Sequence, residues 1–197
     1  MSEISALLDA YAAGIFPMAD ARDAKTCYFV EPKERGIIPL DGFNIPKSLK
    51  KFIKGSDYKI TINTAFADVI AACAQTPRIH EDNTWINDQI ETWFNRLHEM
   101  GYAHSVEVWD NDDTLIGGLY GLAQGGCFNG ESMFSLKPNA SKVALVHLVE
   151  NLRYKGFTLL DTQFVNDHLM QFGCIEISQS NYQKRLDDAL KLHVNFI

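Results

Sequence analysis

Apolar residues recur along this chain with two different spacings. Where they recur every three or four positions the pattern predicts a helix, and where they recur every second position it predicts a strand. Helices are predicted at residues 4–13, 45–54, 64–74, 84–100, 140–155, 164–171 and 180–192, and strands at 28–30, 58–62, 103–109, 115–123, 127–134, 157–161 and 174–177. Residues 75–83 are predicted to form a polar loop, and Thr64 to cap the helix that follows it.

The order of these elements indicates the class of fold. Three strands between residues 103 and 134 follow one another through short turns, which predicts an antiparallel meander. The helix at 140–155 and the strand at 157–161 then complete a β-α-β unit. This order predicts an α+β (mixed α/β) fold, a mixed sheet with flanking helices like that of Gcn5-related acyltransferases. Residues 1–42 are predicted to form a small N-terminal subdomain and residues 43–197 the main domain.

The strand at 127–134 carries a carboxylate, Glu131, among apolar residues. Gly125 and Gly126 precede it and predict a hairpin turn. Since side chains two positions apart share a face of a strand, one face is predicted to carry Asn129, Glu131, Met133 and Ser135, and the other Phe128, Ser132 and Phe134. A buried charge is costly without a partner. Glu131 is therefore either a satisfied structural carboxylate or part of the wall of a ligand cleft.

A second polar pair, Asp161 and Gln163, ends the strand at 157–161. One interpretation is that Asp161 caps the next turn through its own side chain. The other is that both residues face the same cleft as Glu131, since ligands of mixed sheets bind beyond the carboxyl ends of strands. Gln163 offers both a donor and an acceptor, which suits the orientation of an amine.

Basic residues are concentrated in the helix predicted at 45–54, in an otherwise acidic chain. They are Lys47, Lys50, Lys51 and Lys54. They form either a solvated helix face or a row that binds phosphates. Lys142 lies in the first turn of the helix at 140–155, where the helix dipole favours acids. It is either an ordinary surface lysine or, together with the free backbone amides, an anion site.

The composition limits the classes of function. The 197 residues, 46% of them apolar, suffice for one domain with a real core and a small appendage. The net charge of -7 argues against broad coating of a nucleic acid, although a local basic patch is compatible with it. The four cysteines are scattered and the histidines form no HExxH motif, so we expect no disulfide and no metal. The scattered cysteines fit a reducing cytoplasm, and we recognise neither a signal peptide nor a membrane-spanning segment, so we expect a cytoplasmic protein. We also expect it to be a monomer.

Seven short motifs occur in order along the chain. They are YAAGIFPM (11–18), TWI (84–86), LHEMGYAHSVEVW (97–109), GGLYG (117–121), FNGESMFS (128–135), NASK (139–142) and DTQ (161–163). Together they resemble the bacterial leucyl/phenylalanyl-tRNA–protein transferase family over residues 7–186. The resemblance implies transfer of Leu or Phe, with Met as a further candidate, from tRNA to the α-amine of proteins that begin with Arg or Lys. It also implies that the product enters N-degron proteolysis and that no metal or coenzyme is needed.

The resemblance assigns roles to residues of this chain. It places Glu131, Asp161 and Gln163 in the catalytic cleft and Trp85 against the 3′-adenosine of the tRNA. The implied amino-acid pocket comprises Leu119, Phe128, Met133, Leu145, Leu148, Leu152 and Leu160, and the implied tRNA-binding set comprises Lys47, Lys50, Lys51 and Lys54, with Lys142 added as the anion site. Two departures concern tRNA contacts: Phe29-Val30-Glu31-Pro32 stands where many members have WSP, and Leu136 replaces a common Arg.

Two other functions compete with aminoacyl transfer. An acyl-CoA-dependent N-acyltransferase is the weaker alternative, because LKPNASK follows the hairpin in place of a Gly-rich pyrophosphate loop. A non-catalytic module that binds tRNA or N-degrons is the other. In the predicted mechanism Gln163 orients the attacking amine through its carbonyl and Asp161 stabilises the charge on that nitrogen. Glu131 positions the acceptor or the ribose end of the donor.

Overall fold

The computed structural model describes residues 3–76 and 84–197. The helices in these residues are α1 (Glu3–Ala12), α2 (Lys47–Gly55), α3 (Phe66–Gln75), α4 (Asp88–Glu99), α5 (Ala140–Lys155), α6 (Asp167–Met170) and α7 (Gln179–Leu190). The strands are β1 (Phe16–Met18), β2 (Tyr28–Val30), β3 (Glu34–Ile38), β4 (Lys59–Ile62), β5 (Ala103–Trp109), β6 (Leu115–Gln124), β7 (Cys127–Ser135), β8 (Leu159–Gln163) and β9 (Ile175–Ser178).

Seven strands form one mixed sheet in the order β4-β5-β6-β7-β8-β3-β9, and β1 and β2 form a separate hairpin. Strands β5, β6 and β7 are the predicted meander. The parallel pair is β7 and β8, which α5 connects. Gly156 ends α5 in the left-handed region, at φ 83°, where glycine is favoured. The predicted mixed sheet with its β-α-β unit is confirmed.

Helices cover both faces of the sheet. Neighbouring residues Leu119 and Tyr120 on β6 show the division, because their side chains belong to different apolar clusters. The Leu119 side packs against α5 and α2. The Tyr120 side packs against α1, α3 and α4. Helix α7 packs on β3, β7, β8 and β9 through a third apolar cluster around Tyr182 and Leu186.

A β-bulge at Glu131 corrects the predicted alternation along β7. Tyr120 pairs with Ser132 and Gly121 pairs with Gly130, so Glu131 has no partner of its own in β6. Beyond the bulge the side chains change faces. Met133 packs with Leu119 in the apolar cluster between the sheet and α5, which we call the α5 cluster. Glu131 instead contacts α1 on the other face. The prediction that Glu131 and Met133 share a face is therefore wrong, because a bulge adds one residue to the strand.

Strand β3 lies inside the sheet although it comes early in the chain. It pairs antiparallel with β8 on one side and with β9 on the other. Residues 34–38 thus contribute to the same sheet as residues 159–178, although they precede the predicted domain boundary at residue 42. That boundary stays a prediction.

Helices α2, α3, α4 and α6 begin two to four residues later than the sequence pattern predicts. Helix α4 begins at Asp88 instead of residue 84, because the Asn87 side chain accepts a hydrogen bond from the Ile90 amide at 3.0 Å and caps the helix there. Thr64 does not cap α3, whose cap residue is Ala65. The sequence pattern does not predict strands β1 and β3. Of the predicted polar loop, residues 77–83 lie outside the described residues.

Candidate active site

The parallel strands β7 and β8 separate soon after they meet. Their register covers the pairs Cys127–Leu159, Phe128–Leu160 and Asn129–Asp161. Beyond these pairs, β7 continues to Ser135 and β8 to Gln163 without pairing with each other. We call this gap the β7–β8 opening. It lies at the carboxyl ends of both strands, where mixed sheets bind ligands.

Asp161 lies at the closed end of the β7–β8 opening and is fully buried. Its Oδ1 accepts hydrogen bonds from Arg35 Nε at 2.9 Å and from the backbone N–H of Gln163 at 2.8 Å. Its Oδ2 accepts from Arg35 Nη2 at 2.5 Å and from the Tyr182 hydroxyl at 2.9 Å. With four hydrogen bonds and a fixed counter-ion, Asp161 is a satisfied carboxylate whose bonds hold neighbouring groups in place.

Arg35 is the counter-ion, and it is only 1% exposed. Its guanidinium lies between two rings, 4.6 Å from the centre of Phe16 and 4.4 Å from that of Tyr182. Nη1 donates to the Gly14 carbonyl at 2.8 Å. Burial would lower the pKa of Arg35, but the adjacent Asp161 raises it above its ordinary value. The cation therefore stays charged and links the N-terminal segment to β8.

Gln163 has an unusual backbone conformation for a residue other than glycine. Its φ is 63°, and the Phe164 amide donates to the Thr162 carbonyl at 2.6 Å, which closes a three-residue turn around Gln163. Such strain costs about 1–3 kcal/mol and is typical of functional sites. Gly36 on β3 makes room for the turn, since a Cβ there would lie 2.6 Å from the Phe164 carbonyl carbon.

Glu131 faces Gln163 across the β7–β8 opening. Its Oε1 accepts a hydrogen bond from the Tyr11 hydroxyl of α1 at 2.8 Å. Burial raises the pKa of Glu131 to about 8, while the Tyr11 hydroxyl and the nearby side-chain amide of Gln163 oppose that rise. Gln163 is thus close to Glu131, but its Nε2 makes no hydrogen bond of ordinary geometry with it.

Two buried polar atoms of this site lack hydrogen-bond partners among the described residues. They are Oε2 of Glu131 and Nε2 of Gln163. A buried polar atom without a partner costs about 1–3 kcal/mol. One strand thus presents a carboxyl oxygen and the other an amide donor, a combination that suits a ligand carrying both a hydrogen-bond donor and an acceptor.

The seven apolar residues assigned to the amino-acid pocket come together in the cluster between the sheet and α5. They are Leu119, Phe128, Met133, Leu145, Leu148, Leu152 and Leu160. Leu119 lies directly opposite Met133 in the sheet. Glu131 lies on the other face, so the apolar and polar parts of the site do not share one surface.

Trp85 lies just before α4, at the start of the second described segment. It is half-buried against the cluster formed by α1, α3 and α4. Its carbonyl accepts a hydrogen bond from the Ala19 amide at 3.2 Å. Trp85 is therefore on the same side of the sheet as Tyr11 and Glu131.

Helix α2 carries the predicted lysine row on its outer surface. Lys47, Lys50, Lys51 and Lys54 are all exposed, and within residues 3–76 and 84–197 none of them has a carboxylate at ion-pair distance. Leu49, on the opposite side of the helix, is buried against the α5 cluster. The amphipathic pattern thus anchors the helix and leaves a basic surface uncompensated.

The residues that flank α2 lie close to the beginning of α5. Asn44, just before α2, donates to the Gln171 carbonyl at 2.9 Å, and Lys142 Nζ lies 3.3 Å from Gln171 Oε1. Just after α2, the Tyr58 hydroxyl donates to the Pro138 carbonyl at 3.3 Å. These contacts place both ends of α2 near the first turn of α5, where Lys142 lies.

Sequence reasoning missed three residues of the site, namely Tyr11, Arg35 and Tyr182. Arg35 could have been found from the sequence, because it is a charged residue next to the apolar residues of the short strand β3, as Glu131 is in β7. Tyr11 lies within one of the seven motifs, but its partner Glu131 is 120 positions away. Nothing in the local pattern of α7 distinguishes Tyr182 from an ordinary core tyrosine.

No helix among residues 3–76 and 84–197 has the length and apolar character required to cross a membrane. Within the same residues, no three His, Cys, Asp or Glu side chains form a group suited to a metal ion.

Comparisons with known proteins give the family. A family model described as leucyl/phenylalanyl-tRNA protein transferase matches residues 37–187, and a model of the N-terminal domain of that family matches residues 3–33. A leucyl/phenylalanyl-tRNA–protein transferase of Paramagnetospirillum magneticum (strain ATCC 700264 / AMB-1) is 55% identical over 93% of this chain and 87% of its own length. One of Maricaulis maris (strain MCS10) is 52% identical over 96% of this chain and 87% of its own length.

Among solved structures, a crystal structure of FemX is similar in fold, with a TM-score of 0.53 and 13% identity, over 88% of this chain and 66% of that chain. The mixed sheet with its β-α-β unit defines an α+β protein. Within that class, the chain belongs to the leucyl/phenylalanyl-tRNA protein transferase family.

Proposed function

We propose that this chain transfers Leu or Phe, with Met as a further donor, from aminoacyl-tRNA to the α-amine of proteins that begin with Arg or Lys. Transfer from tRNA to protein is the activity after which the family is named. The product would be a substrate of N-degron proteolysis. In this proposal the enzyme works as a cytoplasmic monomer, away from membranes, and uses neither metal nor coenzyme.

The pair of unpartnered atoms at the β7–β8 opening carries the proposal. Glu131 Oε2 and Gln163 Nε2 are a buried carboxyl oxygen on β7 and a buried N–H donor on β8, and the two side chains are close to each other. An amine that attacks an ester brings the complementary groups, N–H donors on the amine and an acceptor on the carbonyl. Holding these two reactants in one geometry is the main requirement, because the ester is already activated and positioning can lower the barrier by about 7–11 kcal/mol.

The geometry changes the role proposed for Asp161. The sequence-based mechanism used Asp161 to stabilise charge on the attacking nitrogen. Asp161 accepts all four of its hydrogen bonds from Arg35, Tyr182 and the backbone N–H of Gln163. It is therefore better suited to hold Gln163 in its turn. We therefore assign Asp161 as a positioning residue, while Gln163 orients the amine or the ester carbonyl through its amide group.

The apolar cluster on the α5 side suits the side chain of the transferred amino acid. Leu119 and Met133 are its members nearest to the bulge at Glu131. An apolar pocket discriminates between side chains by only about 1–3 kcal/mol per methylene. Acceptance of Leu, Phe and Met by one pocket is therefore expected on physical grounds.

The tRNA is proposed to bind along α2 and the start of α5. Lys47, Lys50, Lys51 and Lys54 form an exposed basic row, and Lys142 extends it toward the first turn of α5. Trp85 is proposed to pack against the terminal adenosine. Lysines without carboxylate partners suit phosphate contacts, since binding a phosphate breaks no existing ion pair.

A transfer assay tests the proposal. Labelled Leu-, Phe- and Met-tRNA are incubated separately with a peptide that begins with Arg and with the same peptide acetylated at its N-terminus. We expect label only in the free peptide, and a loss of at least about 10²-fold in the Asp161→Ala/Gln163→Ala double variant. Transfer that requires acyl-CoA would indicate an N-acyltransferase. Binding of tRNA and peptide without transfer would indicate a non-catalytic module.

A further inference from the structure

The two oxygens of Glu131 have different environments. Oε1 is held by the Tyr11 hydroxyl at 2.8 Å, whereas Oε2 is buried without a hydrogen-bond partner in the described structure, and the Gln163 side chain lies close to this carboxyl group. The β-bulge at Glu131 fixes this arrangement, since it turns the side chain toward α1 and away from the Met133 face. One oxygen is therefore anchored and the other remains available to a ligand.

The charged and titratable groups that act on Glu131 come from three elements among the described residues. They are Tyr11 on α1, Arg35 on β3 and Asp161 on β8, and Tyr120 on β6 acts in turn on Tyr11. Arg35 and Asp161 form a bidentate ion pair and largely cancel each other. Glu131 is consequently the group in the β7–β8 opening that can exchange a proton without breaking an ion pair.

We propose that Glu131 Oε2 takes the proton released by the attacking amine and passes it to the ribose oxygen that leaves. This inference rests on the proposed function and specifies how its protons move. Tyr11 is the positioning residue, because its hydroxyl holds Oε1 and directs Oε2 into the β7–β8 opening.

The step balances without an external reactant. The neutral α-amine attacks the ester carbonyl carbon, and the new C–N bond leaves the nitrogen with one proton more than an amide carries. Glu131 Oε2 removes that proton. When the bond between the carbonyl carbon and the ribose oxygen breaks, Glu131 gives the proton to that oxygen, which leaves as a hydroxyl. The products are an amide and an uncharged tRNA end, and Glu131 is again a carboxylate.

The acidity of Glu131 supports the role that its geometry indicates. Burial raises the pKa of Glu131 to about 8. An N-terminal α-amine has a pKa of about 7.7–8.0. A proton acceptor is most effective when its pKa lies close to the operating pH and to that of its partner.

The test is the pH dependence of kcat/KM for the peptide at saturating aminoacyl-tRNA. If both the amine and Glu131 must be deprotonated, log kcat/KM rises by about two per pH unit well below pH 7.7. In Glu131→Gln only the amine titrates, so we expect a slope of about one and a loss of about 10²-fold or more near pH 8. In Tyr11→Phe we expect the slope of two to remain while one of the two apparent pKa values rises, since the Tyr11 hydrogen bond lowers the pKa of Glu131.

Two controls separate this role from a structural one. Glu107→Gln removes another fully buried carboxylate of the sheet, one that accepts hydrogen bonds from the hydroxyls of Thr61 and Ser105, and should keep the slope of two. Tyr154→Phe changes a tyrosine that is 86% exposed on α5 and should not move either apparent pKa.

A slope that remains two in Glu131→Gln, while the variant still melts cooperatively and binds tRNA, would overturn the inference and leave the proposed function intact. Absence of transfer by the unmodified chain at every pH would overturn the proposed function and the inference with it. A slope of one in the unmodified chain would also contradict a proton-accepting Glu131.

Discussion

Arg35 and Asp161 join two distant parts of the chain inside the protein, with Nη2 and Oδ2 2.5 Å apart. The two residues are 126 positions apart, and both side chains are almost completely buried. The pair connects β3 to β8, and through Gly14 it also connects the segment after α1. The orientation of Gln163 therefore depends on a residue from the first fifth of the chain.

Removing one partner of this ion pair should destabilise the protein strongly. In Arg35→Met we expect the free energy of unfolding to fall by about 3–5 kcal/mol, because the Asp161 carboxylate stays buried without its counter-ion. Urea unfolding followed by circular dichroism measures the change. Adding Asp161→Asn should recover part of the stability but not the transfer activity. The matched control is Arg96→Met, whose exposed ion pair with Glu99 should contribute less than about 1 kcal/mol.

Gly36→Ala should impair transfer more than it impairs folding. The added Cβ would lie 2.6 Å from the Phe164 carbonyl carbon and 2.9 Å from Thr162 Oγ1, so the turn at Gln163 must move. A displacement of about 1 Å at a reacting group can lower the rate by about 10²-fold, and we expect a stability loss of only about 1–3 kcal/mol. Gly55→Ala is the control, because a Cβ there meets no atom within 4 Å. Equal transfer rates in the two variants would contradict the role of the turn.

Reversing charges on α2 should weaken tRNA binding. In Lys50→Glu/Lys51→Glu we expect a higher Kd and a shallower dependence of log Kd on log salt, by about 0.7–0.9 for each phosphate that the variant no longer binds. Filter binding at several salt concentrations gives both quantities. Lys184→Glu/Arg185→Glu makes the same charge change on α7, where both residues are exposed. If this control weakened binding as much as the α2 variant, net charge and not the lysine row would be responsible.

His104 should make the protein less stable in acid. Burial lowers the pKa of His104 to about 4, with a further contribution from His98. The unfolded chain binds a proton near pH 6.5 and the folded chain does not, so stability is lost as the pH falls from about 6.5 toward 4, by about 1.4 kcal/mol per unit. Glu131, whose pKa is raised by burial, instead makes the folded state more stable as the pH falls. This contribution is the same in every variant that retains Glu131.

The measurement is the difference in unfolding free energy between pH 7 and pH 5. We expect this difference to be smaller by about 2 kcal/mol in His104→Gln than in the unmodified chain. His147→Gln makes the same chemical change on α5, away from the buried site of His104, and serves as the control for the substitution itself. An identical pH dependence in His104→Gln and the unmodified chain would show that His104 is already protonated when folded.

Local sequence patterns were sufficient for most elements and for the sheet type. The turn at Gly125 and Gly126 predicted the β6–β7 hairpin, because glycine readily adopts the positive φ found at Gly125. Gly156 likewise predicted the end of α5. These features depend on interactions within a few residues, and such interactions are visible in a single sequence.

The features that sequence reasoning missed depend on distant partners. The bulge at Glu131 leaves the residue types of β7 unchanged, so strict alternation was the natural expectation. Asp161 was recognised as polar at a strand end, but its binding to Arg35 and Tyr182 required the pairing of β3 with β8 and the packing of α7. Short patterns do not encode which strand inserts beside which.

The insertion of β3 between β8 and β9 has a consequence for how the protein is made. Residues 34–38 leave the ribosome early, but their two neighbours in the sheet are residues 159–163 and 175–178. Strands β4 to β7 can pair in order during synthesis, whereas β3 must wait for nearly the whole chain, because pairing of distant segments carries the greatest entropic cost. Arg35 therefore meets Asp161 at the end of folding, and a nascent or truncated chain that lacks β8 and β9 has neither the ion pair nor Gln163, however well its hairpins have formed.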